Sequence, residues 1–102
     1  MGIKCHSLGE VRDNIDRVDR EIVTLLAERG TFVTQAASFK ATVAEVKAPD
    51  RVEQVIAKVR SLAQEHGANP RVVESVYRAM IAAFIEAELT AHSLLAENDA
   101  QR

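Results

Sequence analysis

Apolar residues recur at alternating spacings of three and four over the first forty positions of the chain. They fall into two rows. One row consists of Leu8, Ile15, Ile22 and Ala36, interrupted by Arg29, and the other of Val11, Val18, Leu25, Phe32 and Phe39. The segment from Leu8 to Lys40 contains no proline. Its heptad spacing predicts one long helix, ending near Thr42, and this helix should pack lengthwise against another helix. Ser7 and Glu10 form the S-x-x-E pattern of a capping box at its start.

Two further amphipathic helices are predicted after a loop at 43–47. Pro49 is suited to the first position of the second helix, and the His-Gly pair at 66–67 ends it. The Asn-Pro pair at 69–70 begins the third. Apolar residues at helical spacing mark both helices: Val52, Val55, Ile56, Val59, Leu62 and Ala63 in the second, and Val73, Val76, Tyr77, Met80, Ile81, Phe84, Ile85 and Leu89 in the third.

The length of the first helix predicts a dimer. Its 33 residues form a rod about 50 Å long, whereas a compact domain of this size has a radius of gyration of about 13 Å. A monomer would leave both apolar rows in water. We therefore expect an all-α fold, three helices per chain, in an intertwined homodimer. We also expect a single domain over residues 1–102, with a core at about 8–95 and flexible ends at 1–7 and 96–102.

Composition narrows the possible functions. The 13 Lys and Arg residues against 15 Asp and Glu residues leave a net charge of −2 and no basic field, which argues against nucleic acid as a partner. No apolar run reaches the roughly 20 residues that span a bilayer. The first residues lack the apolar core of a signal peptide, so we expect a cytoplasmic protein without membrane contact. A lone cysteine, Cys5, and three separated histidines argue against a disulfide and a metal site.

Charged residues interrupt the apolar faces at three places. Arg29 occupies an otherwise aliphatic row, and Lys40 follows three turns later. Both either extend their charges into water at the border of a core, or line a cleft that binds an anion. Glu88 lies on the apolar stripe of the third helix. A buried carboxylate must pair with a cation or stay protonated, so Glu88 is either in a structural ion pair with an arginine or a hydrogen-bond donor in a site.

Two further arginines are candidate ligands for an anion. Arg12 lies 17 residues before Arg29, about 25 Å along the same helix, so one small molecule cannot contact both within a chain. An antiparallel partner helix would bring the second chain's Arg12 towards Arg29. Arg51 lies in the first turn of the second helix. Taken alone, each of these arginines is more often a solvated surface residue than a ligand.

Several short motifs occur together in this chain. They are R-x-x-I-D-x-x-D from Arg12, L-x-x-R ending at Arg29, the following Lys40, and A-P-D-R-V at 48–52. Over residues 8–95 the sequence resembles the all-helical class of chorismate mutases, which includes the related isochorismate pyruvate lyases. The resemblance implies an intertwined dimer of three-helix chains. It also implies conversion of chorismate to prephenate, a unimolecular rearrangement that needs no cofactor, metal or nucleophile.

The resemblance also implies roles for individual residues. Arg12 of the partner chain and Arg29 match the positions that bind the two carboxylates of the substrate, and Arg51 matches a further arginine nearby. Lys40 and Glu88 match the two positions that contact the ether oxygen of the breaking bond. These residue types suit the chemistry, because arginines bind a dianion in bidentate fashion. A fixed donor such as Lys40 stabilises charge that develops on the ether oxygen, and Glu88 can assist only when protonated.

The sequence departs from the family pattern at a few positions. Val52 stands where many of the mutases have a glutamate that binds the substrate hydroxyl, and Phe84 stands where a smaller polar residue can occur. The A-P-D-R-V segment resembles the lyases, whereas Glu88 departs from their glutamine and resembles some mutases. We therefore expect a chorismate mutase, with an isochorismate pyruvate lyase as the alternative. A helical dimerisation module without activity is the non-enzymatic alternative.

Overall fold

Four helices make up the described part of the chain. A computed structural model describes residues 3–100, without the side chains of residues 92 and 94–100. Its helices are α1 (Leu8–Ala37), α2 (Val43–Lys47), α3 (Pro49–Glu65) and α4 (Pro70–Ala100), and no strand occurs within this range. The prediction of an all-α chain with a long first helix is confirmed, and the three predicted helices correspond to α1, α3 and α4, with the short α2 in addition. The intertwined homodimer stays a prediction.

The predicted domain limits are not decided by these helices. Positions 1–2 and 101–102 of the expected flexible ends lie outside the described residues. Helix α4 continues to Ala100, and the single domain with flexible ends at 1–7 and 96–102 stays a prediction. Contacts divide the chain into two units, Met1–Phe32 and Val33–Arg102. The first contains most of α1, and the second contains the last part of α1 and the other three helices.

The predicted loop at 43–47 is wrong, because these residues form helix α2. Thr42 caps it by accepting a hydrogen bond from the backbone N–H of Glu45 at 3.1 Å, and the Glu45 carboxylate accepts one from the N–H of Ala41 at 2.6 Å. The sequence T-x-x-E at 42–45 carries this capping signal. The helix is too short for an amphipathic period, and only packing shows that Val46 is buried.

Helix α1 begins as predicted and ends earlier than predicted. The Ser7 hydroxyl accepts a hydrogen bond from the N–H of Glu10 at 3.1 Å, while the Glu10 carboxylate binds the N–H of His6 instead of that of Ser7. At the other end, the helix stops at Ala37 and not near Thr42. The N–H groups of residues 38–40 donate to carbonyls three residues back, which tightens the chain into a turn.

Local signals predict the ends of α3 and the start of α4. Ala48, with φ 37° and ψ 62°, joins α2 to Pro49, the first residue of α3. After α3, Gly67 adopts a positive φ of 73° and Ala68 donates to the carbonyl of Ala63 at 2.8 Å, the pattern of a Schellman motif. The Asn69 side chain then accepts a hydrogen bond from the N–H of Arg71 at 3.0 Å. These predicted boundaries are confirmed.

Helices α3 and α4 pack antiparallel, and α2 packs against α4. The ion pairs Arg60–Glu74 and Glu53–Arg78 show the register, because residue numbers fall along α3 as they rise along α4. Among the described side chains of this second unit, the buried apolar ones are Ala37, Val46, Ile56, Val59, Ala63 and Ile81. The apolar stripes predicted for the two helices thus supply much of its core.

The apolar rows of α1 are exposed in the single chain. Leu8, Leu25 and Phe32 are each more than 60% exposed, and of the residues of α1 only Ala37 is buried. This is the exposure that the sequence predicts for one chain by itself. Among the described residues no helix combines the length and apolar character that a bilayer crossing requires. The cytoplasmic location stays a prediction.

Candidate functional site

Lys40 and Glu88 form an ion pair in the second unit of the chain. The Lys40 ammonium nitrogen Nζ donates a hydrogen bond to Oε2 of Glu88 at 3.0 Å. The Glu88 side chain is 4% exposed and that of Lys40 is 26% exposed. Among the side chains that the structure describes, Glu88 is the only buried charged one. The carboxylate on the apolar stripe of α4 is therefore paired with a cation. This cation is a lysine, whereas the sequence suggested an arginine.

Local structure places the two charges next to each other. Lys40 lies in the turn that follows α1, where its backbone N–H donates to the carbonyl of the buried Ala37 at 3.2 Å. Glu88 lies two turns beyond the buried Ile81 on the stripe of α4 that faces the core. The carboxylate is thereby removed from water while the ammonium stays partly accessible. Such a charge-assisted hydrogen bond is stronger than one between neutral groups.

The other candidate residues of the second unit lie on α3 and α4. Arg51 is exposed and Val52 is half-buried in the first turn of α3, and Phe84 is half-buried one turn before Glu88 on α4. Of these candidates, Lys40 and Glu88 are shown to be in direct contact. The roles of all of them stay predictions.

Arg12 and Arg29 belong to the first unit of the chain. Arg12 is exposed and Arg29 is half-buried, both on α1. Their predicted place around a substrate, with Arg12 supplied by a second chain, stays a prediction. The described residues contain no group of His, Cys, Asp and Glu side chains arranged to hold a metal ion.

A second cluster of charges, which the sequence analysis missed, connects α3 to α4. We call it the α3–α4 ion-pair network, and it consists of Glu53, Arg60, Glu74 and Arg78. Arg78 binds both carboxylate oxygens of Glu53 at 3.0 Å, and its Nε donates to Glu74 at 2.8 Å. Arg60 donates to the other oxygen of Glu74 at 2.5 Å.

Electrostatics in this network favour the charged forms of its members. Hydrogen bonds from Arg78 lower the pKa of Glu53, and those from Arg78 and Arg60 lower the pKa of Glu74. The same bonds raise the pKa of Arg78. The signal in the sequence was the spacing of opposite charges, seven residues apart on α3 and four apart on α4. It becomes an inter-helix network only through the antiparallel packing.

Comparison with known proteins identifies relatives of the chain. Residues 11–89 match the family described as chorismate mutase type II. An isochorismate pyruvate lyase of Pseudomonas aeruginosa is 33% identical over 85 residues, which cover 83% of this chain and 84% of the relative. A chorismate mutase of Methanocaldococcus jannaschii is 27% identical over 75 residues, which cover 72% of this chain and 76% of the relative.

Proposed function

This chain belongs to the chorismate mutase type II family, and on that premise we propose that it is an enzyme that rearranges chorismate to prephenate without a cofactor. The observation that carries the proposal is the hydrogen bond between Lys40 and Glu88. It brings together, from positions 48 residues apart, the two residues that the family resemblance assigns to the ether oxygen of the substrate.

Lys40 and Glu88 supply the chemistry at the breaking bond. The rearrangement breaks a carbon–oxygen bond and forms a carbon–carbon bond within one molecule, so no group enters or leaves. Negative charge develops on the ether oxygen as the bond breaks. An ammonium group held in place at that oxygen stabilises the transition state more than the ground state, which is the condition for catalysis. Glu88 donates a second hydrogen bond to the same oxygen when it carries a proton.

Arginines bind the rest of the substrate in this proposal. The substrate is a dianion, and Arg29, Arg51 and the partner chain's Arg12 neutralise its carboxylates and hold the reactive conformer. The exposed rows of α1 support the dimer on which this depends. Leu25 and Phe32 are each 61% exposed, and a second copy of α1 laid along these rows would remove them from water.

An isochorismate pyruvate lyase, which would convert isochorismate to salicylate and pyruvate, is the second candidate. Val52 has no group that could bind the hydroxyl of chorismate. The neighbouring carboxylate, Glu53, is directed towards Arg78 of α4, which binds both of its oxygens. The 33% identity to a lyase adds support for this candidate.

An assay of the purified protein on both substrates tests these proposals. Formation of prephenate from chorismate supports the mutase, and formation of salicylate and pyruvate from isochorismate supports the lyase. Lys40→Ala should abolish most of either activity. The matched control is Lys58→Ala, which removes an exposed lysine of α3 and should leave the rate unchanged. If wild-type protein turns over neither substrate, the enzyme proposal is wrong and the helical dimerisation module is the alternative to test.

A further inference from the structure

We propose that the α3–α4 ion-pair network is a positioning device that sets the first turn of α3, and with it Arg51 and Val52, relative to the helix that carries Glu88. This inference rests on the proposed function, because that function assigns Arg51 and Val52 to the substrate site. Nothing in the family comparison assigns a role to the network.

The first turn of α3 is less closely packed than the rest of the helix, since Val52 is its only half-buried residue and the others are exposed. Residues 49–53 include no buried side chain, and the buried residues of α3 begin at Ile56 and continue with Val59 and Ala63. Apolar packing therefore determines the position of the middle and end of α3. The orientation of its first turn depends on other contacts.

Two contacts supply that orientation, one on each side of Arg51 and Val52. Before them, the N–H of Ala48 donates to the carbonyl of Ala44, and the carbonyl of Ala48 accepts from the N–H of Val52, both at 3.0 Å. After them, Glu53 is bound through both carboxylate oxygens by Arg78. The segment from Ala48 to Glu53 is thus held at both ends.

Arg78, which binds Glu53, lies on α4, the helix that also carries Glu88. Arg78 lies ten residues before Glu88 on α4, about 15 Å along the helix axis. A bidentate guanidinium–carboxylate pair resists rotation as well as separation. Arg78 is also held by Glu74, which is itself bound by Arg60. An isolated, exposed ion pair contributes little to stability. A bidentate pair within a network of several charges contributes more, and Glu53 and Arg78 form such a pair.

The test compares Glu53→Gln and Arg78→Lys with the wild type. Arg78→Lys keeps the charge and loses the bidentate geometry. We expect both variants to raise KM about threefold to tenfold and to change kcat less than about twofold, because Arg51 binds a carboxylate that does not react and contributes uniform binding. The substrate is whichever of chorismate and isochorismate the wild type turns over. The matched control is Glu21→Gln, which removes an exposed ion pair within α1.

A network with only a structural role would lower Tm and leave KM at 25 °C unchanged, and that result would overturn the inference. Amide hydrogen exchange gives a second measurement that needs no substrate. We expect exchange at residues 52–54, whose N–H groups are the first of α3 to be hydrogen-bonded, to become at least about threefold faster in both variants and to stay unchanged in Glu21→Gln. Unchanged exchange there overturns the inference whether or not the enzyme is active. Absence of wild-type turnover with faster exchange contradicts the proposed function and the assignment of Arg51 and Val52 to a site.

Discussion

The ammonium of Lys40 lies 3.0 Å from a carboxylate oxygen of Glu88, so the two residues proposed to hold one ether oxygen are bound to each other. An ether oxygen placed between them accepts a hydrogen bond from each in place of the bond that they share. Lys40 donates through its ammonium group, whereas a carboxyl group donates only in its protonated form. This relationship makes the ability of position 88 to donate a hydrogen bond the feature of the site that a substitution can test.

The first prediction concerns the hydrogen bond that position 88 donates. We expect Glu88→Gln to keep or raise kcat/KM, because an amide always has a hydrogen to donate to the ether oxygen, whereas a carboxyl group donates only in its protonated form. The control is Glu65→Gln at the exposed end of α3, which should leave kcat/KM unchanged. A fall in kcat/KM for Glu88→Gln would contradict the role of position 88 as a hydrogen-bond donor.

The second prediction separates catalysis from stability at Lys40. Lys40→Ala should cost about 3 kcal/mol of transition-state stabilisation, a loss of about 100-fold or more in kcat/KM. It should also lower the free energy of unfolding by about 1–3 kcal/mol, because the buried Glu88 carboxylate loses its partner. The double variant Lys40→Ala/Glu88→Gln should recover part of the stability and none of the activity. Recovery of activity in the double variant would contradict a catalytic role for Lys40.

The third prediction tests the dimer. Ile22 and Val23 are neighbours on α1, 47% and 63% exposed in the single chain, but only Ile22 lies on an apolar row. We expect Ile22→Glu to dissociate the dimer at micromolar concentration in a sedimentation experiment, because the charge would be buried between the helices. Val23→Glu should leave it intact. A folded wild-type monomer at that concentration would contradict the proposed assembly.

The fourth prediction tests whether Arg12 acts across the dimer. Arg12→Ala and Lys40→Ala should each be nearly inactive as homodimers. A mixed dimer has one site with both residues intact and one with neither. Random exchange in an equimolar mixture should therefore restore about a quarter of the wild-type activity. An inactive mixture, with exchange of chains verified, would place Arg12 in the site of its own chain or outside any site.

The fifth prediction concerns stability in acid. Arg78 lowers the pKa of Glu53 and Glu74 from the ordinary value of 4.5, so both carboxylates bind protons less readily in the folded chain than in the unfolded one. Their contribution to stability is present above about pH 4.5 and is lost as pH falls through the lowered pKa values. The Tm difference between wild type and Arg78→Gln should therefore shrink between pH 6 and pH 3, as measured by thermal unfolding. A difference independent of pH would contradict this role.

The helices and most of their ends could be predicted from the sequence because their causes are local. Ser7, Pro49 and the pairs at 66–67 and 69–70 act on backbone groups within a few residues, and apolar spacing marks the buried faces of α3 and α4. Helix α2 was missed although Thr42 and Glu45 carry a capping signal. Five residues cannot show an amphipathic period, and the burial of Val46 depends on α4.

Helical spacing alone places Glu88 on an apolar face, where it needs either a cation or a proton because burying an unpaired charge is unfavourable. The packing of the folded chain makes Lys40 that cation, from a turn 48 residues away. The same holds for Arg78, which is bound to Glu53 because α3 and α4 pack antiparallel in one register. Helical period and capping act over a few residues, whereas these partners depend on how separate helices pack.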